Sequence, residues 1–165
     1  MAMSLGPCMA TGLLVSLVGV ARTPGLAAQG DPCALLTQAE AAAILGQSIG
    51  APVKGGSGEC HYGEEGGSAE IVVYPMQLGF QSKEEFHAFV VEDTEAMNAR
   101  IKKSMEKTGV TVKETAVEPV AQVGDAAYYV DPSLIVLSHS RVLNITAGNR
   151  DQAVAVARKV VPRFK

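Results

Sequence analysis

The sequence has no tryptophan, few aromatic residues of any kind and no excess of basic residues. Its 14 Lys and Arg against 17 Asp and Glu give a net charge of −3, so we expect no basic face and no nucleic-acid partner. The 17 Gly and 8 Pro follow no repeat, which argues against a collagen-like or low-complexity chain. An apolar fraction of 47% argues against disorder, and 165 residues fit one packed domain.

The N-terminus reads as an export signal. Residues 9–21 form an uncharged apolar run that is followed by Leu26 and the small residues Ala27 and Ala28. The run is too short to cross about 30 Å of hydrocarbon as a helix, so a signal peptide is favoured over an anchor. We expect a signal peptide over residues 1–27, cleaved near Ala27 or Ala28, and a secreted or periplasmic domain over residues 28–165. No basic residue precedes the run, which departs from a standard signal peptide. A retained, membrane-tethered form is the alternative to cleavage.

Removal of the leader turns three cysteines into two. Cys8 precedes the apolar run, whereas a lipobox cysteine would follow it, so we expect no lipid anchor. The remaining pair, Cys33 and Cys60, is predicted to form a disulfide in an oxidising compartment. Two separate buried thiols are the alternative. Neither cysteine has a second cysteine or histidine at metal-binding spacing, so we expect no metal and no cofactor.

Periodicity and capping motifs predict an α+β fold with one antiparallel sheet of five to six strands and three helices, in the order α-β-β-α-β-β-β-β-α. Capping motifs at Thr37, Ser82 and Asn149 or Asp151 begin the predicted helices, which cover residues 38–45, 83–107 and about 150–161. The predicted strands cover residues 59–62, 69–75, 110–116, 126–130, 134–139 and 142–146. Residues 50–58 are predicted as a loop and 63–67 as a hairpin turn.

The long predicted helix carries an apolar stripe and a graded charge pattern. The stripe is expected to be buried and consists of Phe86, Phe89, Val90, Met97, Ile101 and Met105. Acidic residues dominate the start of the helix, and Arg100, Lys102, Lys103 and Lys107 dominate its end. This gradient complements the helix dipole, which favours a solvated helix end. A patch for anions or lipid headgroups is the other interpretation.

Four motifs in order resemble a known family. They are DPCALLT at residues 31–37, a helix ending at Leu45-Gly46, CHY at 60–62 and VGDAAY at 123–128. Over most of residues 31–165 the chain resembles the DUF3558-type exported proteins, which are small cell-envelope proteins and often lipoproteins of actinobacteria. The resemblance implies an envelope location, a disulfide and an α+β sandwich akin to the PsbP-like fold. It implies no catalytic residues. The chain lacks a lipobox cysteine before Cys33, which favours a soluble form.

Few residues point to chemistry. His61, His87 and His139 are the only histidines, and no two have metal-ligand spacing. Ser138-His139 with Asp125 or Asp131 resembles part of a hydrolase triad. However, no G-x-S-x-G motif is present, and adjacent residues of a strand point to opposite faces. We interpret Ser138 and His139 as outward polar positions, and Gly124-Asp125 as a turn in which the Asp bonds nearby amides.

A shallow apolar groove is the candidate binding site. Tyr62, Tyr74, Tyr128 and Tyr129 are expected to line it, with Asp125 close by. We therefore expect an exported, non-enzymatic cell-envelope domain that binds a protein or a small apolar ligand, and that meets a membrane only during export. The alternative is a small exported hydrolase that uses His61 or His139.

Overall fold

The computed structural model describes residues 30–63 and 70–165. The predicted leader, Cys8 and the cleavage site lie outside the described residues, as does most of the predicted 63–67 turn. The three helices are α1 (Gln38–Leu45), α2 (Lys83–Met105) and α3 (Arg150–Val160). The strands are β1 (Val53–Lys54), β2 (Cys60–Tyr62), β3 (Ile71–Gly79), β4 (Glu118–Pro119), β5 (Ala126–Val130), β6 (Ser133–Ser138) and β7 (Arg141–Thr146).

All the strands belong to one antiparallel sheet with the order β1-β2-β3-β7-β6-β5-β4. The predicted α+β class is confirmed. The sheet has seven strands rather than five or six because each edge carries a strand of only two residues, β1 and β4. β1 lies in the stretch predicted as a loop, where Val53 pairs with His61. Two-residue strands are too short to leave a periodic pattern in the sequence.

The predicted strand over residues 110–116 is wrong. Within the described residues this segment pairs with no strand, and the chain joins the sheet at Glu118 and Pro119, where β4 pairs with β5. Its backbone is held by a side chain of α2 instead. Asn98 Nδ2 donates to the Thr115 carbonyl at 2.9 Å, and the Thr115 amide donates to Asn98 Oδ1 at 3.0 Å. The alternation of apolar and polar residues along this segment therefore does not indicate pairing with another strand.

The helix starts agree with the predicted caps. Thr37 and Glu40 form a reciprocal capping box, in which the Glu40 amide donates to Thr37 Oγ1 and the Thr37 amide donates to Glu40. Ser82 Oγ caps α2 by accepting the Glu85 amide, and Asn149 Oδ1 caps α3 by accepting the Gln152 amide. In α1 the fully buried residue is Ala41, whereas Ala39 and Ala43 are exposed.

Helices cover both faces of the sheet, but unequally. On one face, α1, α3 and the short helical turn at Pro32–Ala34 enclose the larger core. Its fully buried residues include Leu36, Val136, Leu143, Ile145 and Val156. On the other face, α2 alone packs over the β5-β6-β7 part of the sheet. The β2-β3 part of that second face has no helix over it among the described residues.

The second half of α2 extends beyond the core. The buried residues of α2 are Phe86, Val90 and Thr94. Met97 is the last apolar side chain of the helix that packs on the core. The prediction that the stripe stays buried to its end is wrong, because Ile101 is 37% exposed and Met105 is only partly buried. Phe86 and Val90 pack against side chains of the sheet and against Phe80, which lies between β3 and α2. The helix continues for several residues beyond these contacts.

The predicted disulfide between Cys33 and Cys60 is confirmed, with the two Cα atoms 5.1 Å apart. Tyr62 lies on the same face of the sheet and reinforces the same attachment. Its hydroxyl donates to the Leu36 carbonyl at 2.8 Å and approaches the Cys33 carbonyl at 3.2 Å. One covalent bond and one buried phenol thus fasten the segment before α1 to β2.

Gly124 is required by its surroundings. Its φ is +58°, and a Cβ there would lie 2.5 Å from the Leu137 carbonyl oxygen and 2.7 Å from Val136 Cγ1. We expect Gly124→Ala to lower the free energy of unfolding by at least about 2 kcal/mol, since backbone strain and a clash add. Gly46→Ala is the matched control, because its φ is +70° but nothing lies within 4 Å. Urea unfolding measures both, and equal losses would contradict the proposed clash.

Candidate functional site

The tyrosines expected to share one groove lie on both faces of the sheet. Tyr62 and Tyr129 point into the core under α1 and α3, and both are buried. Burial raises the pKa of each phenol to about 12. The Tyr129 hydroxyl donates to Asp131 Oδ1 at 2.8 Å. Tyr62 and Tyr129 are therefore core residues whose hydroxyl groups are hydrogen-bonded, and they do not line a groove.

Tyr74 and Tyr128 share the opposite face and even the same row across the sheet. Tyr74 pairs with Asn144, Asn144 with Ile135, and Ile135 with Tyr128. Three strand spacings of about 4.8 Å therefore separate the two rings. Tyr128 lies beneath α2, with ring centroids 5.7 Å from Phe86 and 5.0 Å from His87. The structure therefore does not bring the two rings into one pocket.

Tyr74 lies at the edge of the part of this face that α2 leaves open. Here a recess of about 370 Å³ follows β2, β3 and β7, and we call it the sheet groove. It is lined by Ser57, Glu59, His61, Val72, Tyr74, Asn144 and Thr146. The volume suits a small molecule. Its lining is more polar than the apolar groove expected from the tyrosines.

His61 is held between two carboxylates at one side of the sheet groove. Its Nδ1 lies 2.6 Å from Glu70 Oε1, and its Nε2 lies 3.5 Å from Glu59 Oε1. The hydrogen bond to Glu70 is the main reason that the pKa of His61 is raised. The pKa of Glu59 is lowered by hydrogen bonding from its own backbone amide and by the His61 ring. Two carboxylates and one imidazolium leave this cluster with a net negative charge.

Two buried acceptors in the lining lack a partner. In the described part of the chain, Glu59 Oε2 and Asn144 Oδ1 are buried side-chain polar atoms without a hydrogen-bond partner. Both residues line the sheet groove. A buried acceptor without a donor costs about 1–3 kcal/mol, so such atoms in a recess indicate where a donor belongs. The groove is thus short of hydrogen-bond donors.

His139 lies elsewhere, in the tight turn between β6 and β7. Its φ of +52° turns the ring back, so that Nδ1 lies 3.1 Å from Ser138 Oγ. The expectations that Ser138 points outward and away from its neighbour are wrong, because Ser138 is buried and the turn begins at His139. Asp125 Oδ2 accepts the His139 backbone amide at 2.8 Å, not the imidazole. Asp125 therefore holds the turn at His139, fourteen residues away, rather than amides next to it in the sequence. It lies outside the sheet groove.

No group of three potential metal-ligating side chains occurs within residues 30–63 and 70–165. His61 was singled out from the sequence, and its neighbour Glu59 is visible there as well. Glu70 is not, because only the register that pairs His61 with Val72 brings the start of β3 beside the ring. Asn144 and Thr146 reach the groove through the pairing of β7 with β3, which no local pattern shows.

The His61 cluster predicts a pH dependence of stability. The pKa of His61 in the folded protein is raised above its usual value of 6.5, so the native state holds the proton more tightly than the unfolded chain. The stabilisation is therefore complete below pH 6.5 and is lost as the pH rises through the folded-state pKa. We expect His61→Gln to flatten this part of the pH profile of unfolding. Glu70→Gln removes the charge of the hydrogen-bonded partner of the ring and should flatten the same part of the profile. A slope equal to that of the parent in both variants would contradict the prediction.

Comparisons with known proteins add no relative. No protein-family model matches the chain significantly, and neither does a curated protein or a solved structure. Across the described ranges, no helix combines the length and the apolar character that a bilayer crossing requires. The resemblance to DUF3558-type proteins stays a prediction.

Proposed function

We propose that this chain is an exported, non-enzymatic domain of the cell envelope that binds a small ligand in the sheet groove. The observation that carries the proposal is the half of one sheet face that no described helix covers, together with its two unpaired buried acceptors. The predicted leader and the disulfide support the exported location. The family resemblance points to the same compartment.

The lining of the groove indicates the chemistry of the ligand. Glu59 and Asn144 offer acceptors, and the net charge around His61 is negative. Tyr74 and Val72 add a partly exposed apolar wall. A positively charged amine attached to an apolar or aromatic group satisfies both features, because it brings donors, charge and contact area. This differs from the wholly apolar ligand that the tyrosines alone would favour.

The hydrolase alternative needs a histidine that takes a proton from a nucleophile. Carboxylates face both ring nitrogens of His61 and raise its pKa, which favours the protonated ring over the free base. At His139 the acidic residue binds the backbone rather than the ring. These arrangements favour binding over catalysis. Hydrolysis of an ester or peptide panel by the parent, lost in His61→Ala or His139→Ala, would reverse that preference.

Binding of benzylammonium is the direct test of the groove. In amide NMR spectra at neutral pH, we expect benzylammonium to shift the signals of His61, Tyr74 and Asn144. Benzyl alcohol, which has a similar shape and no charge, should bind about tenfold more weakly or worse, because charged hydrogen bonds contribute about 1.5–3 kcal/mol. Equal binding of the two probes, or shifts confined to another surface, would refute the proposed ligand class.

A matched pair of variants separates the groove from general electrostatics. Glu59→Gln keeps the shape of the side chain but removes a charge from the groove, and we expect it to weaken benzylammonium binding about tenfold. Glu118→Gln removes the same charge from the exposed edge strand β4, at the other end of the sheet. It should leave the affinity unchanged. Similar losses in both variants would mean that the ligand senses only net charge.

A further inference from the structure

The end of α2 and the segment after it form a second surface, at residues 98–114, which we call the basic overhang. None of its described residues is buried, and the last core contact of α2 is at Met97, just before it. Asn98 fixes the return of the chain by binding both backbone groups of Thr115. The overhang therefore has a defined shape although it lies outside both cores.

The charge of the basic overhang is opposite to that of the whole chain. It carries five basic residues, which are Arg100, Lys102, Lys103, Lys107 and Lys113, against Glu106 and Glu114. Its net charge is thus +3, while that of the chain is −3. The basic side chains that the structure describes there are all exposed. The composition of the chain conceals this concentrated positive region.

Exposed apolar side chains lie among these charges. Among the described residues, the exposed large apolar side chains are Val53, Ile101 and Val110, and the last two belong to the overhang, at 37% and 54% exposure. The helix dipole explains why Lys102 and Lys103 occupy the last turn of α2. It does not explain exposed apolar residues beside them. Ile101 continues the core-facing stripe beyond both cores that the described residues form.

A recess of about 350 Å³ separates the end of α2 from the returning segment. Lys102 lines it from α2 and Glu106 from just after the helix, and Val110, Val112 and Glu114 line it from the other side. The two valines give the recess an apolar wall, and an apolar wall within a region of net positive charge matches a molecule with an apolar part next to an anionic group. Phospholipids at a membrane surface have this pattern, whereas a soluble polyanion lacks the apolar part.

We propose that the basic overhang docks on the surface of a bilayer that contains anionic phospholipid. Its basic side chains face the headgroups, and Ile101 and Val110 enter the boundary between headgroups and acyl chains. The protein then lies on the membrane with the sheet groove at a distance from it, and this departs from the expectation that it meets a membrane only during export. The proposal is independent of the ligand proposed for the groove.

Sedimentation with sucrose-loaded vesicles tests the docking. We expect the purified chain to bind vesicles of phosphatidylcholine with about one third phosphatidylglycerol, and to bind pure phosphatidylcholine at least about tenfold more weakly. Binding should decline at high salt. Lys102→Glu with Lys103→Glu should reduce binding about tenfold or more. Any contribution of residues 9–21 is common to parent and variants and cancels in the comparison.

The chain offers matched controls for both parts of the surface. Arg158 and Lys159 occupy the last turn of α3, are exposed, and give the same change in net charge when both become Glu. That variant should bind like the parent. Ile101→Ser with Val110→Ser should also weaken binding several-fold, whereas Val53→Ser at the sheet edge should not. Folding of each variant is checked by its unfolding transition in urea.

Three results would overturn the proposal. One is equal binding to neutral and anionic vesicles. Another is an equal loss in the Arg158 and Lys159 variant, which would mean that net charge alone decides binding. The third is competition by dextran sulfate with no effect of the two serine substitutions, which would identify a site for polyanions in general.

Discussion

Truncation of Tyr62 to alanine is expected to lower the free energy of unfolding by about 3–5 kcal/mol, the range for large buried aromatic residues. Tyr62 is fully buried, and its hydroxyl satisfies the carbonyl of Leu36. The variant therefore loses apolar contact and also leaves a buried acceptor unpaired. Tyr62→Phe keeps the ring and should lose only the hydrogen bond, about 1–2 kcal/mol. Chemical unfolding followed by circular dichroism measures all three proteins.

Tyr74→Ala is the control that separates core from groove. Tyr74 is only partly buried and lines the sheet groove, so its truncation should cost about 1 kcal/mol or less. The same variant should lose benzylammonium binding, which Tyr62→Phe should retain. If Tyr62→Ala were as mild as Tyr74→Ala, the phenol would not be the anchor described above.

Replacement of Cys33 and Cys60 by serine is expected to cost about 3–4 kcal/mol. The bond joins residues 27 positions apart, and opening a loop of that size restores about this much conformational entropy to the unfolded chain. Cys60 is fully buried, so one serine hydroxyl also enters the core and adds to the loss. Unfolding in urea at neutral pH gives the comparison with the parent.

A reducing agent provides the control for the disulfide. It should lower the stability of the parent to near that of the double serine variant and leave that variant unchanged. Mass spectrometry before and after reduction counts the thiols directly. Two free thiols at Cys33 and Cys60 in the unreduced protein would contradict the bond. The effects of the disulfide and of Tyr62 should not be additive, because both hold the same segment to β2.

Most helices and strands could be predicted from local sequence signals, namely capping residues and short turns. The capping residues Thr37, Ser82 and Asn149 mark the three helix starts. A cap can be recognised from sequence because its side chain bonds an amide no more than three residues away. The strands β5, β6 and β7 were predicted nearly in full because short turns join them. The two wrong predictions, the strand at residues 110–116 and the buried end of the α2 stripe, both depend on contacts between segments that are distant in the sequence. Residues 110–116 alternate like a strand but bond to Asn98, and Ile101 continues a stripe beyond the sheet that the stripe was meant to cover.

The candidate site was less accessible to sequence reasoning than the fold. The face on which a side chain lies depends on register, and a strand places neighbours on opposite sides. Tyr128 and Tyr129 therefore separate, and Tyr62 enters the core while His61 faces the groove. The partner of His61, Glu70, and the groove residue Asn144 arrive through pairings with β3. Such pairings cannot be read from one strand alone.

The turn between β6 and β7 bears on how the sheet assembles. His139 and Ser140 both adopt positive φ, a conformation that residues other than glycine rarely take and that hairpin turns usually assign to Asn-Gly. Asp125, directly before β5, compensates by accepting the His139 amide at the end of the neighbouring strand β6. The hairpin therefore depends on a strand outside itself. We expect β5, β6 and β7 to form as one cooperative unit, because the Asp125 bond joins the turn of the hairpin to the start of β5.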